Sequence, residues 1–342
     1  MVEKIIELQK KIAPESLKIV EKRYYVLKNI FSFQPIGRRG LANKLSMGER
    51  IVRSEVEILQ NQGLIEIHPY GMIVTEEGNY LIDNLHEYIL KIRGIGHIEE
   101  KLKNILGIQE VKIVSGNLQN DNFVLKDLGK ITADCVLGLI HEKDIIGITG
   151  GSTMAAVANG IKESSKTRNL IVVPARGGMG IRLENQSNTI AAKMAERLKC
   201  EYRLLHASDT LEEKTLENVI KDPKIQEVLQ MLKSANILVF GIGRADVMAE
   251  RRELSGKIRD KLIDSGAVAE AFGYYFTKEG EIVYEMKTIG VNYDDFLNIP
   301  TVIGVAGGID KSEAIMAICK LKKSMILITD ESAALEIIRM KK

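Results

Sequence analysis

Cysteine is scarce in this chain, and nothing in its placement suggests a bridge or a metal. The three thiols, Cys135, Cys200 and Cys319, lie far apart in apolar surroundings and form no Cys-x-x-Cys pair; each reads as a reduced core residue. A long hydrophobic run is missing too. The longest charge-free stretch, Ile145 to Ile161, carries Gly-Gly-Ser-Thr and an asparagine, which excludes a membrane-spanning helix. The opening residues, MVEKIIELQKK, put acids and bases ahead of any apolar run, unlike a secretory or transit peptide, so the expected compartment is the cytoplasm. Charge of one sign does not dominate: the net value is +2, so contact with a polyanion must come from a local patch. Repeats and low-complexity tracts are absent. What is there is 45% hydrophobic and 27% charged, enough apolar material for packed cores rather than disorder. The length of 342 residues suits two domains better than one.

The chain changes character at KIRGIGHIEE, where Gly94 and Gly96 interrupt a helical pattern. This predicts a small domain over 1–93 and a larger one over 94–342. Helices dominate before the break. After Val111, apolar β-branched runs recur (VKIVSG, DIIGITG, NLIVVPA, ILVFGIG, TVIGVAGG, MILITD), most of them separated by helical stretches such as NTIAAKMAERLK and KSEAIMAICKLKK. Strands apolar throughout and alternating with helices imply a parallel sheet covered on both faces, a doubly wound, Rossmann-like α/β domain. Ligands of such folds bind beyond the carboxyl ends of the strands. Several of these strands end in glycine-rich loops: Gly150-Gly151, Gly177-Gly178, Gly241-Ile242-Gly243 and Gly307-Gly308.

In the first domain, Arg38 to Leu45 suits a short helix, Ser46-Met47-Gly48 a turn, and Ser46 with Glu49 a capping box that starts a second helix reaching about Asn61. At 100° per residue Arg50, Arg53, Ser54, Glu57 and Asn61 share one face, and Ile51, Val52, Val56, Ile58 and Leu59 the other. Glu55 falls inside the apolar arc. The segment LIEIHPYGMIVT reads as two short strands about His-Pro-Tyr-Gly, the wing of a winged helix-turn-helix, and Thr-Glu-Glu-Gly starts another helix. Between Pro35 and Gln60 the bases Arg38, Arg39, Lys44, Arg50 and Arg53 outnumber the acids Glu49, Glu55 and Glu57. Such a helix suits the major groove, where arginine pairs bidentately with guanine and other bases hold phosphates. The same residues would also serve as the solvated face of a small helical domain. Leu81, Leu85, Tyr88 and Ile92 form a seam suited either to pairing with a second chain or to packing on the domain itself.

A helix N-terminus offers unpaired backbone N–H groups and a positive dipole end, so TGGST, with Ser152 and Thr153 hydroxyls beside Gly150 and Gly151, suits a phosphate monoester. A plain strand-to-helix turn with a capping hydroxyl has the same pattern. The spacing is not that of a nucleotide P-loop, and GIGRAD lacks the third glycine of a dinucleotide fingerprint. Arg176 and Lys311 directly follow apolar strands, where a second phosphate would need cations; Arg251 joins them, and Glu270 suits acceptance from a sugar hydroxyl. Asp246 reads as an N-cap for VMAERRE. None of the five histidines stands in a strand-end glycine loop.

Taken in order, PIGRRGLANKL, VTEEG, TGGST, VPARGG, QSNTIAAKMAE, FGIGRAD, EAFGYYF and VAGGIDKSEAI span nearly the whole chain, and it resembles the SorC family of bacterial transcriptional regulators. The resemblance implies an N-terminal winged helix-turn-helix and a C-terminal effector domain similar to glucosamine-6-phosphate deaminase and ribose-5-phosphate isomerase. It implies a homo-oligomer, dimer or tetramer, that represses a glycolytic operon on double-stranded operator DNA. The implied inducer is fructose 1,6-bisphosphate, with no cofactor, metal or membrane partner. Carried over, Gly150, Gly151, Ser152 and Thr153 form one phosphate loop, and Arg176, Gln186, Arg251, Glu270 and Lys311 line the rest. Arg38, Arg39, Ser46, Arg50, Arg53, Ser54 and Glu57 face DNA. Position 152 is Ser where relatives often carry Thr, and the hydroxyl is kept. The deaminase's Gly-x-Asp-Gly-His loop is here Gly243-Arg244-Ala245-Asp246-Val247-Met248, without the imidazole, so the implied protein is not an enzyme.

Overall fold

The computed structural model describes residues 2–45, 47–119, 121–162, 169–178, 182–208 and 213–342. The chain forms two compact units, one ending at His97 and the other running from Ile98 to Lys342.

The first unit contains helices α1 (Val2–Ile12), α2 (Pro14–Phe33), α3 (Arg38–Leu45) and α4 (Glu49–Asn61), the hairpin β1 (Ile65–His68) and β2 (Gly71–Val74), and α5 (Glu76–Ile92). Pro14 takes the first helical position of α2, where its missing N–H costs nothing. Helix α2 then runs through the core: its Leu17, Tyr24, Leu27 and Ile30 meet Leu41 of α3, Val52, Val56 and Leu59 of α4, Met72 of the hairpin and Ile89 of α5. Helices α3 and α4 end where periodicity places them. The start of α4 differs. Gly48 is its N-cap and makes no side-chain bond, so Glu49 is the first helical residue and not the third of a capping box; Ser46 lies outside the described residues. Thr75 does cap α5, accepting the Gly78 N–H at 3.1 Å. The seam of α5 packs on this same core, with Ile92 buried and Tyr88 donating its hydroxyl to Gln9 at 2.9 Å.

The second unit begins within α6 (Ile95–Leu106) and continues with β3 (Glu110–Val114), α7 (Asn122–Leu139), β4 (Ile145–Ile148), α8 (Ser152–Gly160), β5 (Ile171–Pro174), α9 (Ser187–Leu198) and β6 (Glu201–Tyr202). Then follow α10 (Glu213–Val219), α11 (Pro223–Lys233), β7 (Ile237–Gly241), β8 (Gly243–Arg244), α12 (Ala245–Arg251), α13 (Gly256–Asp264), β9 (Ala267–Ala271), β10 (Tyr274–Thr277) and β11 (Ile282–Glu285). The chain closes with α14 (Tyr293–Asn298), β12 (Thr301–Val305), α15 (Ser312–Cys319), β13 (Met325–Asp330) and α16 (Glu331–Met340).

Seven strands form one parallel sheet in the order β3-β13-β12-β7-β4-β5-β6. Alternate strand residues such as Ile146, Ile148, Val239, Val305 and Ile328 pack beneath α7, α8 and α9. Their neighbours face the other way and are buried as well, Leu238 approaching Leu232 of α11 over Gly147. Burial on both faces explains why these strands read as unbroken apolar runs. Cys135 and Cys319 are buried and Cys200 half-buried, all as free thiols.

A second, antiparallel sheet, β11-β10-β9-β8, follows β7 and has no counterpart in the reading of the sequence. The turn from β9 to β10 is Phe272-Gly273, both with positive φ (57° and 89°). That is the backbone of a tight two-residue hairpin, usually marked by Asn-Gly. Here a phenylalanine takes the first place, its ring 4.9 Å from Phe240 and 5.1 Å from Phe296.

Candidate functional site

After β4 the chain continues to β5 on one side, while after β7 it proceeds, through the small sheet, to β12 on the other. The loops leaving β4 and β7 therefore diverge and leave a crevice at the carboxyl edge, the usual ligand position in open parallel sheets. The two loops are pinned at their base: Thr149 donates its N–H to the Val239 carbonyl at 3.1 Å, and the Gly241 N–H donates to the Thr149 hydroxyl at 3.3 Å.

Each glycine of the β4 loop is required for its own reason. Gly151 has φ 114° and ψ 161°, a backbone region closed to other residues. Gly150 faces the turn at Leu183–Asn185, where an added Cβ would meet the Asn185 carbonyl at 2.8 Å. The Gly151 N–H donates to that same carbonyl, also at 2.8 Å, so this amide is already engaged. Helix α8 makes its first backbone bond at Ala155, which donates to the Gly151 carbonyl. The N–H groups of Ser152, Thr153 and Met154 precede it and have no acceptor within the helix. Ser152 is exposed and Thr153 partly so. Two hydroxyl-bearing residues and three amides without a helical acceptor thus stand at the start of α8, an arrangement that suits a phosphoryl group.

Arg176, just past β5, is buried; Ser187 donates its hydroxyl to the Arg176 carbonyl at 2.6 Å. Gln186 is the N-cap of α9, between Asn185 and Ser187, the two residues whose backbone lies against Gly150. Lys311, beyond β12, donates to the Ile242 carbonyl at 3.1 Å and so ties the β12 loop to the β7 loop. Burial, reinforced by repulsion from Arg251 and Arg244, holds its ammonium below the ordinary lysine range, against the pull of Asp310 and Asp330. Arg251 itself is exposed.

Glu270 is more engaged than a free acceptor of sugar hydroxyls would be. Its Oε1 accepts from Arg252 Nη2 at 2.9 Å and from the Gly273 N–H at 2.8 Å, with Arg176 Nη1 at 3.5 Å. Only Oε2 remains, 3.3 Å from where a Cβ on Gly243 would stand. Asp246 is not the N-cap of α12, a place that Arg244 fills. It lies in the first turn, where the Arg244 guanidinium holds its carboxyl below the usual range. Arg244 also reaches Asp310 at 2.9 Å, a clasp between the β7 and β12 loops. Sequence reasoning missed Arg244, Arg252 and Asp330. The buried Asp330 joins three elements, its Oδ2 accepting from the Leu118 N–H at 2.7 Å and the Gly308 N–H at 3.0 Å, and its Oδ1 from the Ala333 N–H at 2.9 Å. Its visible signal was a carboxylate closing an otherwise apolar strand. Among the described residues no cluster of His, Cys, Asp and Glu able to hold a metal assembles.

In the first unit Arg38, Arg39, Arg50, Arg53, Ser54 and Glu57 are all exposed. Arg39 pairs with Glu49 at 3.5 Å and Arg53 with Glu57 at 3.1 Å. Arg38 and Arg50 have no acidic partner among the described residues. Ile51, placed on the apolar face by periodicity, is 50% exposed and belongs to this outer surface. Glu55 is buried because α2 supplies two cations, Lys22 Nζ at 2.5 Å and Arg23 Nε at 3.0 Å. At the hairpin tip the exposed Tyr70 ring stacks on His68, centroids 5.0 Å apart.

Comparison with known families agrees with this division. Residues 19–89 match the "CggR N-terminal DNA binding domain" and residues 91–339 the "Putative sugar-binding domain". A DNA-binding domain followed by a sugar-binding domain defines a ligand-responsive transcriptional regulator. The chain belongs to the SorC family of such regulators. It is 43% identical over 336 residues to the central glycolytic genes regulator of Priestia megaterium, across 98% of each chain, and 41% identical over 335 residues to that of Bacillus subtilis. A crystal structure described as a SorC family transcriptional regulator from Enterococcus faecalis is 38% identical, with a TM-score of 0.66 over 71% of this chain and 99% of that one. The full-length sorbitol operon regulator SorC from Klebsiella pneumoniae is 19% identical and shares the fold, with a TM-score of 0.66 over 92% and 97% of the two chains.

Proposed function

We propose that this protein represses glycolytic genes, and that a phosphorylated sugar, most simply fructose 1,6-bisphosphate, relieves the repression. The open first turn of α8 carries this reading. It supplies donors for one phosphate, while Arg176 past β5, Lys311 beyond β12 and Arg251 at the end of α12 supply cations for a second. The α3-α4 pair and the hairpin act as a winged helix-turn-helix, with α4 in the major groove, Arg50 and Arg53 on base edges, Arg38 and Arg39 on phosphates, and the hairpin as wing. Relatives named for central glycolytic genes support the choice of target. The second unit is used as a binder related to the sugar-phosphate deaminases and isomerases, not as a catalyst. Its β7 loop offers only Asp246, held as a carboxylate by Arg244 and so a weak base. The working form is a homo-oligomer in the cytoplasm, without cofactor or metal.

A thermal-shift panel of sugar mono- and bisphosphates, repeated with Arg176→Ala and Lys311→Ala, tests the sensor. Stabilisation by bisphosphates that both substitutions diminish is the expected result; a flat panel for the unaltered protein sinks the proposal. Gel shifts on promoter fragments upstream of glycolytic genes test the reader, and Arg50→Ala should weaken them.

A further inference from the structure

We infer that Arg252 is a positioning residue that reserves one oxygen of Glu270 for a sugar hydroxyl, and thereby sets the preference for a sugar over a bare bisphosphate. This rests on the reading of the crevice as a sugar bisphosphate site. Arg252 directly follows α12 and is almost wholly enclosed, its side chain 3% exposed. Its guanidinium donates to Glu270 Oε1 at 2.9 Å and touches the Met286 thioether at 4.0 Å. Together with the Gly273 amide at 2.8 Å it occupies Oε1 from the side of the small sheet.

Two consequences follow from that geometry. Arg176 stays at 3.5 Å, the longest of the three contacts, and its guanidinium is not drawn into a close pair with Glu270. Oε2 is turned instead toward Gly243, beside the Met248 side chain and 3.3 Å from where a Cβ on that glycine would stand. Without Arg252, Glu270 would close further on Arg176, and Oε2 would be lost to the ligand. Tyr275 adds an independent mark. It pairs across the strands with Glu270, and its hydroxyl is buried with no hydrogen-bond partner among the described residues, an arrangement that calls for a further polar group nearby.

The discriminating measurement compares fructose 1,6-bisphosphate with 1,6-hexanediol bisphosphate, which has both phosphates and no free hydroxyl. Calorimetric affinities of the full chain should favour the sugar. Arg252→Met should reduce this preference about tenfold, Arg252→Lys by less, and Glu270→Gln by as much as Arg252→Met. The double variant should be no worse than Glu270→Gln alone, the signature of two residues acting through one contact. Arg252→Lys keeps the question open to refutation should Arg252→Met not fold. If the substitutions lower both affinities by one common factor, or the unaltered protein binds both compounds equally, Arg252 is a structural residue and the inference fails. If the unaltered protein binds neither, the reading of the crevice has failed instead.

Discussion

Glu55 shows how a single residue is misjudged when its helix is considered alone. Within α4 it interrupts an apolar arc, and only α2, more than thirty residues earlier, provides the Lys22 and Arg23 that make its burial tolerable. Burial alone would raise its carboxyl, yet the hydrogen bonds and charges of those two cations outweigh this and hold it below the ordinary range. Because its folded pKa is depressed, the stability it contributes is full above the unfolded value of 4.5 and is lost as pH falls through the lower folded value. Glu55→Gln should cost the first unit about 1–3 kcal/mol at neutral pH, read by urea denaturation, and should flatten the acid limb of stability. Gly151→Ala should cost about 1–3 kcal/mol through backbone strain and also weaken phosphate binding, whereas a change at the exposed Ser152 should affect binding alone. Lys311 predicts the opposite pH limb. Its lowered ammonium should let sugar-phosphate affinity decline, as pH rises, earlier than a solvated lysine would, and calorimetry of Lys311→Met should show that limb gone. The adjacent pair Arg251 and Arg252 marks the limit of reading at this scale, since one is exposed, the other buried, and only the end of α12 decides which.

At the scale of elements, what was legible depended on how many faces a strand buries. The parallel strands β4, β5, β7, β12 and β13 bury both faces and stand out as apolar runs, and with them the glycine loops at their carboxyl ends. The small sheet was not legible because its turn uses Phe272-Gly273, and the usual polar turn signal is absent. Phe272 holds its φ of 57° only because its ring lies among Phe240 and Phe296. Phe272→Ala should therefore destabilise the second unit by about 3–5 kcal/mol in chemical denaturation, and through the Gly273 amide it should loosen Glu270 and lower effector affinity. The beginning of α4 eluded the reading for another reason: Gly48 starts the helix without a side-chain cap, so no capping residue signals it.

For the molecule as a whole, the two units must exchange free energy if the protein is a switch. A sugar bisphosphate that releases operator DNA must bind the DNA-free form more tightly, and DNA must weaken the sugar bisphosphate by the same factor. Titrating fructose 1,6-bisphosphate into an operator complex, followed by anisotropy at several salt concentrations, should show that reciprocity; equal ligand affinity with and without DNA would exclude it. If Arg50 meets a phosphate instead of a base, Arg50→Ala should lower the slope of log affinity against log salt by about one. The scarcity and burial of thiols offer a practical handle on these measurements. Cys135 and Cys319 are enclosed, and burial pushes the Cys200 thiol up to about 11, leaving roughly one molecule in ten thousand as thiolate at neutral pH. With Ile51→Cys, at an outward-facing position, that thiol would then be the preferred target for a maleimide dye, and if α4 is the reading helix the dye's emission should change when operator DNA is released.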